Sequence, residues 1–449
     1  MAVPKKGSTG SSRTEQVSPA VLLLVLVVVL MPIPRILVQF TSGNASYDFQ
    51  AILFPSDLPL AVLTLAMIPR ALRRIRDGSF GVLAWIALAL TAWMVVAYIV
   101  HPSGRGIADI LRLVGLVAMV VAFLELKTNG ERGIVLATVA GVAAFETAVS
   151  VIQIATRSSA GLGVLGESSD PLWSFGSTTA PQGTMVHPYV LAGMALVFGV
   201  ILAIALTRRW NRALLLAIAV AIVPVGYTYG RAAVLGLAIA VACLGTGLFV
   251  DRRRYLPAIL ALCIGVAVPA LIWSDGWVAR TQQSVHAKNA SSLATDRGWL
   301  IHEADGLIVD QPAVGVGPGR YVMALKHKFG KEPNKTVGVF KPVHNLPLLA
   351  AAEGGIPAGL LMTALLLVAG WRGWVAGRTG LALWGVYMPF VLLDHFSYTY
   401  PMGLIITGVW LGVIELLARD RETEGVRPLP EARASGRGSR HVDEPRTRT

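Results

Sequence analysis

The chain has 449 residues, of which 54% are hydrophobic and only 14% are charged, and its formal net charge is +13. An ordinary soluble domain carries about a quarter charged residues, so this composition excludes that class and indicates an integral membrane protein. No nucleic-acid-binding motif accompanies the positive charge, so we expect the lipid bilayer, and no nucleic acid, as a partner.

The apolar runs are continuous and most are long enough to cross the bilayer as helices. They predict an all-α, polytopic membrane protein with about twelve transmembrane helices. In chain order the predicted spans are 20–40, 57–72, 80–100, 106–126, 133–155, 187–207, 212–228, 231–250, 255–273, 343–369, 379–398 and 400–418.

These spans divide the chain into five parts. We expect a cytoplasmic N-terminal segment at 1–18, nine helices in 19–273, an extracytoplasmic loop at 274–342, three helices in 343–418, and a disordered cytoplasmic tail at 419–449. The tail prediction rests on its richness in Arg, Glu, Pro, Ser and Gly, because such a composition buries too little apolar surface to fold.

Basic residues in the connections predict the orientation, because cytoplasmic loops are enriched in lysine and arginine. The connections on one side, counted up to the tail, carry seventeen: Lys5, Lys6, Arg13, Arg70, Arg73, Arg74, Arg76, Lys127, Arg132, Arg208, Arg209, Arg212, Arg252, Arg253, Arg254, Arg372 and Arg378. The short segments opposite carry five: Arg35, Arg105, Arg112, Arg157 and Arg231. Both termini are therefore predicted to be cytoplasmic, in the inner or plasma membrane.

The loop at 274–342 is polar and basic, although it lies on the predicted outer side. Leu300, Ala304, Leu307 and Ile308 have helical spacing, which predicts an amphipathic interfacial helix over 296–309, capped by Thr295 or Asp296. A turn with the sequence GVGPG follows at 315–319, where glycine permits positive φ. The positive charge suggests an anionic partner, and a solvated basic loop beside lipid headgroups is the alternative.

One histidine near the end of this loop is a candidate general base. His344 follows Lys341, precedes Asn345, and is succeeded in the next helix by Glu353. A neutral imidazole can accept a proton from a hydroxyl group. A lone histidine at a helix start is more often structural, but the polar company of His344 favours chemistry.

Two arginines at the predicted outer interface are candidate anion ligands. Arg231 opens a span after Tyr229 and Gly230, and Arg297 lies on the predicted interfacial helix. Two guanidinium groups suit a diphosphate, because each binds phosphate oxygens in a bidentate manner. Snorkelling to lipid headgroups is the structural alternative for Arg231. For Arg297 the alternatives are a local ion pair with Asp296 or a contact with the phosphate of a bulk lipid. The sequence contains no metal-ligand cluster and no Walker loop, so we expect neither a metal nor another cofactor.

The segment from Arg231 to Glu353 resembles the O-antigen ligase and polymerase family of bacterial envelope glycosyltransferases. The matching pieces are GRAAVLGL at Arg231, Arg297 followed by Pro312 and the GVGPG turn, His344-Asn345 with Glu353 downstream, and Asp394-His395 before the last span. One departure is Ile301, where the family often has an aromatic residue.

The resemblance implies a glycan donor carried on a polyprenyl diphosphate, usually undecaprenyl diphosphate, and a glycan acceptor. Carried over to this sequence, it makes His344 the base and Arg231 and Arg297 the ligands of the donor diphosphate. Residues in supporting positions are Tyr229, Arg320, Lys341, Asn345, Glu353, Asp394 and His395. A repeat-unit polymerase of the same family, a transporter or flippase of lipid-linked glycans, and a non-catalytic scaffold are the alternatives.

Overall fold

The computed structural model describes residues 17–39, 52–175, 178–286, 290–330 and 341–426. The predicted N-terminal segment lies almost wholly outside these ranges, as do Lys331 and Lys335 of the basic loop and the last part of the predicted tail.

The described chain is almost entirely helical. Its first half contains α1 (Pro19–Leu30), α2 (Asp57–Arg76), α3 (Val82–Val100), α4 (Gly104–Leu124), α5 (Asn129–Thr156), α6 (Pro188–Arg208), α7 (Arg212–Ala221), α8 (Val223–Tyr227), α9 (Arg231–Gly245) and α10 (Leu248–Ile272). The rest contains α11 (Ser274–His286), α12 (Ala290–Asp310), α13 (Tyr321–Phe329), α14 (Leu346–Val375), α15 (Arg378–Leu393), α16 (Phe396–Thr399) and α17 (Pro401–Val426).

Two small antiparallel sheets interrupt the helices. Strand β1 (Val38–Gln39) pairs with β2 (Ile52–Leu53), and β3 (Leu172–Phe175) pairs with β4 (Thr178–Pro181). The second pair forms a hairpin in the connection between α5 and α6, close to the N-terminal end of α6 at Pro188.

Among the described helices, seven are long and apolar enough to cross a membrane, namely α3, α4, α5, α6, α10, α14 and α17. The segments Pro19–Leu30, Arg212–Tyr227, Arg231–Gly245 and Arg378–Leu393 are apolar but shorter. The remaining predicted span, 57–72, falls in α2, whose last turn carries Arg73, Arg74 and Arg76. The chain is thus a helical membrane protein, and the total of twelve spans stays a prediction.

Helices α6 and α17 form the centre of the bundle. In both helices, nearly every residue of the most apolar stretch is buried by neighbouring parts of the protein. Helix α17 packs on α4, and α9 packs on α15. Trp410 of α17 is fully buried and donates a hydrogen bond from Nε1 to the Leu383 carbonyl of α15 at 2.6 Å.

Helix α14 is broken at Gly355, where φ is 75° and ψ is 178°. The break leaves backbone N–H and carbonyl groups of α14 without partners in the helix. The GVGPG turn and the residues before it form hydrogen bonds with these groups. Val316 N donates to the Ala352 carbonyl at 2.9 Å, Gly317 N donates to the Glu353 carbonyl at 2.9 Å, and Ile356 N donates to the Pro312 carbonyl at 2.8 Å. Gly315, Gly317 and Gly319 have positive φ, as the sequence predicts.

Leu300, Ala304 and Leu307 of α12 lie on one face, as their spacing predicts, and this face is buried against the rest of the protein, with α12 packed on α14. The predicted position of the helix at the membrane interface stays a prediction. Helix α12 begins at Ala290, however, so Thr295 and Asp296 lie within it and are not its caps. The extra turn forms because neither residue is a helix breaker and the run of Ala and Ser before them is compatible with helix.

The chain stays helical beyond Ala418, where the sequence predicts the disordered tail to begin. Helix α17 continues to Val426. Ion pairs hold the extension against the bundle: Asp420 Oδ2 lies 2.8 Å from Arg132 Nη1, and Glu422 pairs with Arg372. Composition alone could not indicate these partners.

Candidate active site around His344

His344 lies immediately before α14, and its neighbour fixes the backbone there. The Asn345 side chain accepts a hydrogen bond from Leu348 N at 3.0 Å, which caps α14. Its Nδ2 donates to the Leu392 carbonyl near the end of α15 at 3.4 Å. Asn345 therefore joins the start of α14 to the end of α15, and this places His344 beside the residues that follow α15.

The first of those residues form a compact polar corner. Asp394 Oδ1 accepts hydrogen bonds from His395 N at 2.7 Å and Phe396 N at 3.2 Å. The His395 ring then lies against the His344 ring, with centroids 4.9 Å apart and planes at 79°. The structure thus brings His344, Asp394 and His395 together, although fifty residues separate the two histidines in sequence.

A hydrogen-bonded chain runs from His395 into the bundle. His395 Nδ1 lies 2.7 Å from Thr399 Oγ1, and the Thr399 carbonyl accepts a hydrogen bond from Arg105 Nη2 at 3.3 Å. Arg105 Nε in turn lies 3.4 Å from Asp109 Oδ2. These hydrogen bonds fix the orientation of the His395 ring, which gives His344 a rigid neighbour.

Burial and positive charge keep the His344 imidazole neutral at pH 7. Burial, with the nearby charges of Arg297 and Lys341, lowers the pKa of His344 to about 4. The pKa of His395 is held well below its ordinary value by burial and by the charges of His344, His187 and neighbouring cations. Within the described residues, Nδ1 of His344 is buried without a hydrogen-bond partner. Independently of that atom, a neutral imidazole has one unprotonated ring nitrogen, whose lone pair can accept a proton from a hydroxyl group.

Asp394 is the acidic member of the group. Burial raises its pKa to about 6, while the two backbone hydrogen bonds and the charge of Arg297 oppose this shift. Arg297 consequently lies close enough to act on both Asp394 and His344. It is exposed on α12, so its guanidinium group is accessible to a ligand on the same side as the histidines.

Three aromatic rings lie side by side around the start of α6. The rings of Trp173 and His187 have centroids 4.4 Å apart, and those of His187 and Tyr189 are 4.8 Å apart. Burial, together with the charges of Lys341 and His344, lowers the pKa of His187 to about 3. His187 therefore lies within electrostatic reach of His344, and we refer to Trp173, His187 and Tyr189 as the ring stack.

Arg231 lies beyond the Tyr189 end of the ring stack. A methyl group added at Gly230 would stand 3.6 Å from the Tyr189 ring, and Arg231 is the first residue of α9. Its side chain is exposed at a helix N-terminus, where the backbone also favours an anion. The contacts that locate Arg231 relative to His344 run through the ring stack, and their direct proximity stays a prediction.

Tyr229 shapes the turn before Arg231. It has a φ of 52°, which is uncommon for a residue with a side chain. Its ring packs against Trp277 at 5.5 Å, and Trp277 Nε1 donates to the Gly226 carbonyl at 2.6 Å. Tyr229 is buried, so its place in the structure is to hold the turn.

Two other predicted supporting residues belong to the GVGPG turn. Glu353 is buried under it and accepts a hydrogen bond from Tyr321 N at 3.3 Å, while Arg320 lies beside Gly317. Nine residues of helix separate Glu353 from His344, roughly 13 Å along the axis. We therefore assign Glu353 to the support of the turn, and Lys341, which acts on His344 through its charge, to the histidine group.

Reasoning from sequence missed His187, Trp173, Thr399 and Arg105. His187 gave the one usable signal, because it stands in the polar QGTMVHP run immediately before a span. Its side chain caps α6 by accepting a hydrogen bond from Tyr189 N at 3.1 Å, which is the ordinary role of a histidine there. Its tertiary contact with the Trp173 ring and its nearness to Lys341 and His344 are what distinguish it from an ordinary cap.

A family model described as O-antigen ligase matches residues 217–363. The matched segment contains Arg231, Arg297, His344 and Glu353, so the resemblance that the sequence suggests is confirmed over this segment. A search of curated proteins finds no match. The family match supports O-antigen ligase-like or polymerase-like activity by a membrane glycosyltransferase, with a lipid-linked glycan donor and a glycan acceptor. Asp394, His395 and the ring stack lie outside the matched segment.

Proposed function

We propose that the protein transfers a glycan from a polyprenyl diphosphate carrier to a hydroxyl group of an acceptor sugar, as an O-antigen ligase-like enzyme. The observation that carries the proposal is a neutral, partly exposed His344 close to the exposed cation Arg297, within the segment that matches the family. This pairing supplies a base for a hydroxyl group beside a charge for a diphosphate.

The reaction proceeds in one displacement. His344 takes the proton of the acceptor hydroxyl group while its oxygen attacks the anomeric carbon of the donor. The bond from that carbon to the diphosphate oxygen breaks, polyprenyl diphosphate leaves with the electron pair, and the anomeric configuration inverts. The proton remains on His344 until it passes to solvent or to the product.

Arg297 and Arg231 hold the diphosphate. The leaving group gains negative charge as the bond breaks, and fixed cations aimed at it stabilise that charge most in the transition state. Guanidinium groups suit this task because they stay charged and bind oxygens in pairs. A diphosphate is already a competent leaving group, so we propose a metal-independent reaction.

The basic connections favour a site on the extracytoplasmic face with both termini in the cytoplasm. The histidine group lies at the end of the bundle where α14 begins, whereas Arg208, Arg372 and the end of α17 lie at the other end. A lipid-linked donor in the outer leaflet would present its diphosphate at the level of His344.

Replacement of His344 tests the base. We expect His344→Ala and His344→Gln to lower turnover of purified lipid-linked donor about 10²–10⁴-fold, the usual contribution of general-base catalysis, while donor binding largely survives. Arg231→Ala and Arg297→Ala should weaken donor binding as well. His302→Ala is the matched control, because His302 is exposed on the same loop. Near-normal turnover by His344→Ala would exclude His344 as the base.

A further inference from the structure

We propose that a cleft beside Trp173 binds an uncharged sugar residue of the acceptor glycan. This inference rests on the proposed glycan transfer and adds the place where the acceptor lies. The cleft has a volume of about 440 Å³, within the usual range for small-molecule sites. The residues that we use are Trp173, Ser168, Asp170, Ser174, Gln182 and Thr184, which line it. We call it the Trp173 cleft.

The Trp173 ring is available as a binding platform. Trp173 lies opposite Ala180 in the hairpin, and this small partner leaves the indole uncovered. One side of the ring packs on His187, yet 42% of the residue remains exposed. A large flat apolar ring beside polar groups suits a pyranose, whose C–H groups present an apolar face and whose hydroxyl groups point outwards.

The surroundings of Trp173 distinguish it from a tryptophan that anchors a protein in lipid. An anchoring tryptophan lies in the interfacial belt, with its apolar body towards the acyl chains. Ser168, Asp170 and Ser174 are exposed around Trp173, so the cleft is a polar, aqueous one. The Ser168 hydroxyl donates to the Asp170 carbonyl at 2.9 Å, which orders this rim.

The charge of the cleft selects an uncharged sugar. Among the described residues that line it, Asp170 is the one charged side chain. A carboxylate accepts hydrogen bonds from sugar hydroxyl groups, and it repels a uronic acid or a phosphorylated sugar. Gln182, which is buried at the wall, offers an amide that suits a hydroxyl or N-acetyl group. The preferred ligand is therefore a neutral hexose or N-acetylhexosamine residue.

The ring stack extends from the cleft to the start of α9. Trp173 packs on His187, and His187 lies within electrostatic reach of His344. At its other end the ring stack reaches Gly230 and the Arg231 end of α9. A sugar on Trp173 and a diphosphate at Arg231 would thus lie at opposite ends of the ring stack.

The test uses the full-length protein in detergent and, as its probe, envelope glycan extracted from cells that lack this chain. We expect Trp173→Ala to raise the acceptor KM at least tenfold, with the donor KM changed less than twofold. Trp173→Phe keeps an aromatic ring, so its acceptor KM should lie between those of the wild type and Trp173→Ala. The matched control is Trp210→Ala, because Trp210 is 58% exposed but lies at the far end of α6.

Asp170→Asn provides a second variant that leaves the packing of Trp173 on His187 intact. We expect it to raise the acceptor KM several-fold, and melting temperatures should show that each variant is folded. An acceptor KM for Trp173→Ala and Asp170→Asn equal to that of Trp210→Ala would overturn the cleft.

Direct binding of the same glycan to immobilised protein separates the cleft from the transfer reaction. Binding that is lost in Trp173→Ala, without any transfer by the wild type, would support the cleft and contradict the proposed function. Transfer by the wild type with unchanged binding in Trp173→Ala would support the function and overturn the cleft. Absence of both binding and transfer in the wild type would overturn both.

Discussion

His344 and Asn345 are adjacent in sequence, yet their side chains do different work. Asn345 caps α14 and reaches the Leu392 carbonyl, so its replacement acts through the backbone that carries His344. His344 touches the neighbouring ring of His395 and has a buried Nδ1 without a partner among the described residues. The sequence could indicate that His344 and Asn345 matter, but it could not show which of them caps the helix and which lies in the candidate site. Both roles depend on contacts with Leu392 and His395, which lie far along the chain.

The pH dependence of turnover follows from the charges around His344. Because burial, Arg297 and Lys341 lower its pKa to about 4, the base is neutral at pH 7 and becomes protonated only in acid. We expect kcat/KM, which reports the free enzyme, to fall as the pH drops through about 4. Bound diphosphate offsets the positive charges, so the acid limb of kcat should lie at higher pH than that of kcat/KM.

Lys341→Gln tests whether the charge of Lys341 lowers the pKa of His344. Loss of the positive charge favours protonated His344, so the acid limb of kcat/KM should move to higher pH. Lys326→Gln removes the same charge from an exposed position of the same loop and serves as the control. The profile is measured with purified donor over about pH 3–8, a range that contains both the lowered pKa of His344, about 4, and the ordinary histidine pKa of about 6.5. Coincident limbs for Lys341→Gln and Lys326→Gln would contradict the electrostatic explanation.

At the scale of the element, the break in α14 is the feature that the sequence concealed. The run LPLLAAAEGGIP contains two glycines and two prolines, but it is largely apolar and it lies inside a predicted span. The break becomes necessary only when the segment 311–317 inserts its backbone between Ala352 and Ile356. By contrast, Leu300 and Ala304 of α12 are buried as their spacing predicts, because the periodicity of a helix face is a local property.

Gly355→Ala should destabilise the protein. The φ of 75° and ψ of 178° lie in a region that is essentially restricted to glycine, and a methyl group there would overlap the Ala313 carbonyl. We expect a loss of at least about 1–3 kcal/mol, seen as a lower melting temperature in detergent. Gly141→Ala in α5 is the control, because a methyl group there meets nothing within 4 Å. That variant should be neutral or gain up to about 1 kcal/mol. Equal melting temperatures for the two variants would contradict the role assigned to the break.

At the scale of the whole molecule, hydropathy was sufficient for the helices and insufficient for the site. Every apolar run that the sequence offered contains helix, because continuous apolar stretches have few other ways to satisfy their backbone in lipid. The pairing of Trp173 with His187, and of His395 with Thr399 and Arg105, depends on how those helices pack. Arg105 and Thr399, for example, lie 294 positions apart, and a single sequence carries no trace of a contact at that separation.

Glycans from cells that lack this chain distinguish a ligase from a polymerase. A ligase transfers finished chains, so its loss should leave long glycans on the lipid carrier, and this is the outcome we expect. Mass spectrometry of lipid-linked and envelope glycans measures it, and a strain complemented with His344→Gln should accumulate the same species. Lipid-linked single repeats would instead identify a polymerase, and an unchanged glycan profile would contradict both.

The broken helix also determines how the site meets its donor. Tyr321 links α13 to α12 by donating from its hydroxyl group to the Leu300 carbonyl at 2.9 Å, and it links α13 to α14 by donating from its backbone N to Glu353 at 3.3 Å. These two hydrogen bonds, together with the three backbone hydrogen bonds across the break, attach α12, which carries Arg297, to α14, which follows His344. Within the described residues, the proposed base and this cation are therefore held by elements that are already hydrogen-bonded to each other. A donor diffusing in the plane of the membrane would meet a pair already assembled, so the reorganisation that often accompanies charge stabilisation is completed when the chain folds.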